Sequence, residues 1–372
     1  MTSANQDPIE LAWFRLSCFA QFGPARLLKI LRVLKDPRRA LEGDHQTLVS
    51  SGIEPHIIEQ FLSFKEDTRW IQRWETYTKE NIHMTILGCD DYPTLLSQIH
   101  HPPVVLYWKG NINQPWDTMI SVIGTRAVSL YGKTITPMIV EGLCRRGVGV
   151  VSGLALGIDG LAHQAAINTQ QPTVAVIGGG IDRSSIFPSA HLNLAENLIA
   201  GGGCLMSEYP PLTLPLKHYF PLRNRIVAGL TRATLVIEAD TQSGALITAK
   251  SALEENREVF AVPGPITSPT SAGTNGLIRL GARCITSADE ILADLEIVTE
   301  LRCERAPAIK RTSNDPDENT LLQLLTLEPI EVDSIIRSSN MPVTTVQRTL
   351  SLLELKGWVR QVGPTLYVLN NA

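Results

Sequence analysis

Apolar positions recur three and four residues apart through residues 8–80. The segments IELAWFRLSCF, GPARLLKILRVLKD, LEGDHQTLVSSG and the stretch from Pro55 to Glu80 therefore read as short helices, with Leu27, Leu28, Leu31 and Leu34 on one face. Gly23-Pro24 opens the second, with proline in its first turn. A short helix, a glycine turn and another helix resemble a helix-hairpin-helix unit, and a small packing bundle is the alternative. Between residues 85 and 295 the pattern changes to unbroken apolar runs bounded by glycine: DTMISVIG, GVGVVSG, TVAVIGG, GCLMSEY, ATLVIEA, REVFAVPG and ARCIT. Such runs fit strands buried on both faces. The intervals between them hold helical patterns, as in Gly132–Arg145 and Asp159–Thr169, which predicts a doubly wound, mostly parallel α/β sheet.

From Leu301 to Glu318 the pattern dissolves into LRCERAPAIKRTSNDPDE, a linker by composition. Beyond it, LLQLLTL, EVDSIIRSS, the turn NMP and VTTVQRTLSLLELKG predict three helices. Two short strands around Gly363-Pro364 complete a winged helix-turn-helix. The expected organisation is a helical domain over 1–84, an α/β domain over 85–298, a linker over 299–318 and a winged helix over 319–372.

Composition narrows the function classes. Of 372 residues 44% are hydrophobic and 19% charged, which excludes wholesale disorder. With 33 Lys+Arg against 37 Asp+Glu the chain is acidic overall, so a nucleic-acid site must be a local concentration of positive charge. Cys18, Cys89, Cys144, Cys204, Cys284 and Cys303 form no CxxC pair. That argues against a disulfide framework or zinc ribbon and for a reducing cytoplasm. The start MTSANQDPIE has no apolar signal core, and no apolar run approaches the ~20 residues of a membrane span. The expectation is a cytoplasmic protein without a membrane span.

In open parallel sheets, ligands bind at the carboxyl ends of the strands. There the chain places Gly124-Thr125-Arg126, the segment from Ser152-Gly153 to Asp159, Gly178-Gly179-Gly180, Pro210–Arg225, Asp240–Ala245 and Pro263-Gly264-Pro265. Glycine-rich loops opening into helices suit an anion such as phosphate, although each glycine could equally serve a tight turn. No GxxxxGK[ST] or GxGxxG is present, which removes P-loop and dinucleotide readings. The most informative loop is YPPLTLPLKHYFPLRNRIVAGLTR, Tyr209–Arg232. It carries Lys217, Arg223, Arg225, Arg232 and His218 beside Tyr219 and Phe220, with no carboxylate. Basic groups track a phosphate backbone and aromatic faces stack unpaired bases. Arg126 is expected to point into the same cleft. The alternative for Arg223 and Arg225, which is placed at the start of a helix, is pairing with Glu208, Glu238 or Asp240. Asp159 reads as a helix N-cap and His163 as a weak catalytic candidate. Ser243, Gly244 and Thr248 suit a strand-loop-helix anion site, with Lys250 on a solvated helix face. In the winged segment Thr344, Thr345, Gln347 and Arg348 fall on the recognition helix. Residues 330–372 carry a net charge of only +1, four basic against three acidic, which leaves weak DNA contact and protein interaction both open.

In order, SVIGTRAVSLYG, VVSGLALGIDGLAH, TVAVIGGGID, SEYPP, FPLRNRIVAGL, SGALITAKSALEENREVFAVPG and SAGTNGLIRLGA resemble the DNA processing protein A (DprA, Smf) family through nearly all of residues 90–292. The flanks resemble that family's SAM-like helical and winged-helix additions. The resemblance implies an extended Rossmann-like fold that binds single-stranded DNA without hydrolysing it. It also implies a homodimer that helps load the RecA recombinase on incoming DNA during natural transformation. Neither cofactor nor metal is expected, and no residue is assigned a catalytic role. By motif, Arg126 and Lys217 would meet phosphates and Phe220 would stack a base. Arg223, Asn224, Arg225, Ser243 and Gly244 would join that pocket, with Gly124, Thr125, Ser152 and Gly153 supplied by the first two loops. One departure follows GGGID, where the family usually has Tyr-Pro and this chain has Arg183-Ser184-Ser185-Ile186-Phe187-Pro188.

Two other function classes compete. A Rossmann-like nucleotide phosphoribohydrolase would need PGGxGTxxE where the chain has SGALITAKSALE; the glycine pair is absent and Glu254 lies too far along the helix. A winged-helix transcriptional regulator would need a more basic C-terminal region.

Overall fold

The glycine-bounded apolar runs become short strands, buried except for the last, Arg283–Cys284, because only a strand inside a layered fold can cover apolar side chains on both of its faces. The computed structural model describes residues 9–297, 313, 315–325, 330–339, 341–363 and 365–369. It divides into two compact units, Met1–Arg302 and Cys303–Ala372.

The first unit is built on a nine-stranded sheet: β1 (His83–Ile86), β2 (Val105–Gly110), β3 (Ile120–Ile123), β4 (Val150–Ser152), β5 (Thr173–Val176), β6 (Cys204–Ser207), β7 (Ala233–Val236), β8 (Glu258–Ala261) and β9 (Arg283–Cys284). Its order is β1-β2-β6-β5-β4-β3-β7-β8-β9. The seven runs named above become β3 to β9, which pair in parallel. The sequence pattern did not point to β1 and β2. They pair with each other (His83 opposite Trp108) and then β2 with β6 (Tyr107 opposite Ser207), both antiparallel, and extend one edge.

Strand alternation separates two apolar layers. Val151, Val174, Val176, Cys204 and Met206 pack on one side with Ile226 and Val227 of the helix Tyr219–Gly229. Val150 and Ile120 on the opposite side meet Ile139, Leu143 and Ala162 from the helices Leu130–Cys144 and Ile158–Asn168.

Among the described residues the N-terminal helices are α1 (Ile9–Ser17), α2 (Pro24–Leu34), α3 (Arg38–Glu42), α4 (His45–Ser50), α5 (Pro55–Phe64) and α6 (Arg69–Lys79). They share a core with the sheet through Tyr107, Ala175 and Leu205. Phe14 meets the Tyr107 ring edge-on at 5.9 Å. The later helices are α7 (Thr94–Ser97), α8 (Leu130–Cys144), α9 (Ile158–Asn168), α10 (Leu192–Ala200), α11 (Tyr219–Gly229), α12 (Gly244–Glu254), α13 (Pro269–Arg279) and α14 (Ala288–Asp294). Chain order runs outward from β3 to β4, β5 and β6 on one side and continues through β7, β8 and β9 on the other. The sheet's switch point therefore lies between β3 and β7, where a ligand crevice is expected.

The second unit packs α15 (Pro316–Leu324), α16 (Val332–Ser339) and α17 (Val343–Leu355) around Leu321, Ile335, Val346, Leu350 and Leu353. A three-stranded sheet of β10 (Ile330–Glu331), β12 (Leu366–Leu369) and β11 (Val359–Gly363) completes a winged helix, β10 being additional to the two strands expected. Buried Glu318 accepts from Lys356 Nζ at 2.6 and 2.7 Å, which holds its carboxyl below the usual range. Most of the expected linker (299–312 and 314), Asn340 of the turn and Pro364 between the strands lie outside the described residues.

Candidate nucleic-acid interface

A cleft of about 810 Å³ opens at the switch point, on the carboxyl ends of the strands. The loop after β3 is held by Thr125 N–H donating to the Glu238 carbonyl (2.7 Å) and Thr125 carbonyl accepting from Ile158 N–H (3.2 Å). Gly157 makes this junction possible. Its φ is +88°, and a Cβ there would lie 2.3 Å from the Thr125 carbonyl oxygen, so neither backbone angle nor space admits a side chain. Buried Glu238 accepts from Ser129 N–H, Ser129 Oγ and Thr270 Oγ1, which ties the starts of α8 and α13 to β7. Arg126 emerges exposed from this frame, its guanidinium 5.6 Å from the centre of the Phe220 ring.

The loop after β4 is organised from inside. Asp159 Oδ2 accepts from Gly153 N–H (3.1 Å) and Ala155 N–H (3.4 Å), so Asp159 braces the preceding loop, and the N-cap position of α9 belongs to Gly157. Burial raises the Asp159 carboxyl, with Arg223 and these N–H groups opposing. Arg223 is 4% exposed and donates to the carbonyls of Gly153 (2.7 Å) and Val176, joining the ends of β4 and β5. Burial lowers its guanidinium to about 10, still charged at neutral pH.

Ser243 Oγ caps α12, and Gly244 next to it faces open space on the cleft side. The helix N-terminus therefore presents bare backbone to the cleft. The basic loop is propped from beneath by the triple glycine: Gly180 N–H donates to the Thr213 carbonyl (2.8 Å), and Ser207 Oγ donates to the Gly179 carbonyl (2.6 Å). Gly178 lets the start of α11 approach, since a Cβ there would be 3.3 Å from Tyr219 backbone. These glycines are buried under the loop and do not line the cleft.

The cleft brings together ten of the twelve expected positions: Gly124, Thr125, Arg126, Gly153, Lys217, Phe220, Arg223, Asn224, Ser243 and Gly244. Ser152 is sealed in β4, its Oγ donating to the Val122 carbonyl at 2.6 Å. Arg225 lies inside α11 rather than at its start. It turns to the other side of the helix, where its Nη2 donates to both oxygens of Glu208 at 2.6 and 2.7 Å. Arg232 is exposed just ahead of β7, where its carbonyl accepts from Glu258 N–H at the start of β8, so it belongs to the amino edge of the sheet. Two exposed cations, Arg126 and Lys217, thus line the cleft.

His163 is sealed: Thr173 Oγ1 donates to the Val150 carbonyl, so His163 Nδ1 donates to Thr173 Oγ1 at 2.7 Å and burial lowers the ring to about 3. Thr248 lines the cleft, whereas Lys250 is exposed, 3.6 Å from Glu254. The cleft also contains Phe187 and Asp240, neither of which was expected as a contact. For Phe187 the signal was the altered segment after GGGID. Asp240 carries none beyond its place at a strand end. In the winged unit Thr344, Gln347 and Arg348 are exposed on α17 and Thr345 is half-buried.

Among the described residues no helix is long and apolar enough to cross a membrane. Residues 83–296 match the DNA recombination-mediator protein A family, and residues 304–363 match the DprA winged helix domain. The chain is 35% identical over 331 residues to protein Smf of Escherichia coli, covering 86% of each. It superposes on DNA processing protein A from Streptococcus pneumoniae with a TM-score of 0.66 at 32% identity, covering 78% of this chain and 99% of that one. DNA processing protein A from Helicobacter pylori, solved for its single-stranded DNA binding mode, gives 0.52 at 28% identity, covering 59% and 98%. With both matched regions and the identity to protein Smf over most of each chain in agreement, the chain belongs to the DNA processing protein A (DprA/Smf) family.

Proposed function

We propose that this chain is a recombination mediator whose switch-point cleft grips single-stranded DNA. The observation that carries the reading is the meeting of Arg126, Lys217 and Phe220 in one cleft of an otherwise acidic protein. Phosphates would lie against Arg126, Lys217 and the bare N-terminus of α12, and an unpaired base would lie on Phe220. Such a site reads backbone and ring faces, so it favours single strands with little sequence preference. No covalent step is part of the proposal. The chain would hold and present the strand, as a cytoplasmic homodimer that protects incoming DNA and passes it to the RecA recombinase.

The test is a competition titration of labelled single-stranded DNA against unlabelled single-stranded and duplex DNA at several salt concentrations. Single strands are expected to compete far better, and Arg126→Ala or Lys217→Ala to weaken binding by about tenfold. Equal competition by duplex, or full affinity in both variants, would overturn the reading.

A further inference from the structure

Phe187 is an exposed ring with a fixed position and no partner in the core. It is 48% exposed and lines the cleft. The segment that carries it is rigidly anchored. Fully buried Asp182 accepts from Ser184 Oγ (2.5 Å), Ser185 Oγ (2.9 Å) and Leu212 N–H (2.7 Å), and Arg183 N–H donates to Glu80 at 2.9 Å. Ile186, one residue earlier, packs on the apolar core, so the chain turns one side chain in and holds the next one out in water. The Phe187 ring centre lies 5.9 Å from that of Phe220, inclined by 58°. At that distance the rings touch each other, and no slot remains between them for an inserted base.

We propose that Phe187 is a second stacking platform, so that the cleft receives one unpaired base on Phe220 and another on Phe187. This rests on the single-strand reading above. Arg126 lies 5.6 Å from the Phe220 ring centre and Phe187 5.9 Å from it, so three planar groups cluster in one cleft, where a strand can lay neighbouring bases on the two rings while its phosphates meet Arg126 and Lys217. Stacking on an apolar ring involves no counterion, which separates this contribution from the ionic one.

The test compares Phe187→Ala, Phe187→Leu and Phe187→Tyr with the parent protein, using fluorescence anisotropy of a short oligothymidine across a salt series and Phe220→Ala as reference. Phe187→Ala is expected to lower affinity by about five- to a hundredfold with an unchanged salt slope. Phe187→Tyr should bind like the parent and Phe187→Leu, which keeps the bulk without the ring, like the alanine variant. If Phe220→Ala weakens binding while Phe187→Ala and Phe187→Leu do not, or if leucine restores affinity as well as tyrosine, the second platform is wrong and the cleft reading stands. Unaltered binding in both Phe220→Ala and Phe187→Ala would refute the cleft reading itself.

Discussion

Replacing Arg126 by alanine removes one of the two exposed cations that line the cleft, and the salt dependence of binding counts what is left. For single strands, log affinity falls with log salt at a slope of about −0.7 for each phosphate neutralised. Arg126 and Lys217 together give about −1.4, which between 50 and 200 mM salt is a loss of about sevenfold. In Arg126→Ala the slope should halve to about −0.7, a loss of about threefold over the same range. Counting every arginine of the Tyr209–Arg225 stretch as a contact gives a different answer. Adding Arg223 and Arg225 would give four phosphates, a slope of about −2.8 and a loss of about fiftyfold. The structure favours the smaller number because Arg223 donates to two carbonyls and Arg225 is held by Glu208. Anisotropy titrations of a short labelled oligothymidine distinguish the two. A parent slope near −3, or a lowered slope in Arg225→Met, would refute the assignment.

Arg225→Met should destabilise the fold by about 2–3 kcal/mol in chemical denaturation, because it leaves Glu208, only 12% exposed, without its partner. Adding Glu208→Leu should recover most of the loss. Gly153→Ala places a Cβ 2.6 Å from the Arg223 guanidinium, so it should cost about 1–3 kcal/mol and weaken DNA binding as the β4 loop shifts. His163 is held neutral when folded, lowered to about 3, whereas the unfolded chain takes up a proton near pH 6.5. Its contribution is therefore complete above pH 6.5 and is lost progressively as the pH falls toward 3. That is about 2–3 kcal/mol by pH 4.5, read as the difference in the pH dependence of unfolding between the parent and His163→Gln.

The parallel sheet was legible because strands buried on both faces are predominantly apolar, and β3 to β7, buried at every position, carry no residue more polar than Ser or Thr; the exposed edge strand β9 was legible only through the apolar residues that flank it. β1 was not, because His83–Ile86 buries only Thr85 over four residues, too short to distinguish from a loop, and β2, Val105–Gly110, runs out into Lys109 and Gly110 with no glycine ahead of it to mark its start. Most of the cleft was legible for a related reason: strand ends and helix starts are marked by glycine, and a parallel sheet gathers those ends on one rim. Side-chain direction was not. Arg223 and Arg225 stand two apart in one helix, so they project on opposite sides, and only the position of Tyr219 as the first residue of α11 decides which one faces the cleft. Ser152 failed similarly, since the last residue of a buried strand can point into the sheet as readily as out of it. The value of the triple glycine in seating the basic loop depends on a contact with residues more than thirty positions away, which no local pattern carries.

Arg223 divides the labour of attraction in an unequal way. Its guanidinium spends its donors on Gly153 and Val176, yet its charge, lowered only to about 10, persists through the neutral range and sits beneath the floor of the cleft. Polyanions would therefore feel a background pull from it, reduced by the Asp159 carboxyl that interacts with it, that does not depend on side-chain motion. The two exposed cations at the rim are then free to vary. Altering them would retune grip and release while leaving the fold intact, whereas the buried charge could not be altered without dismantling the loops it supports.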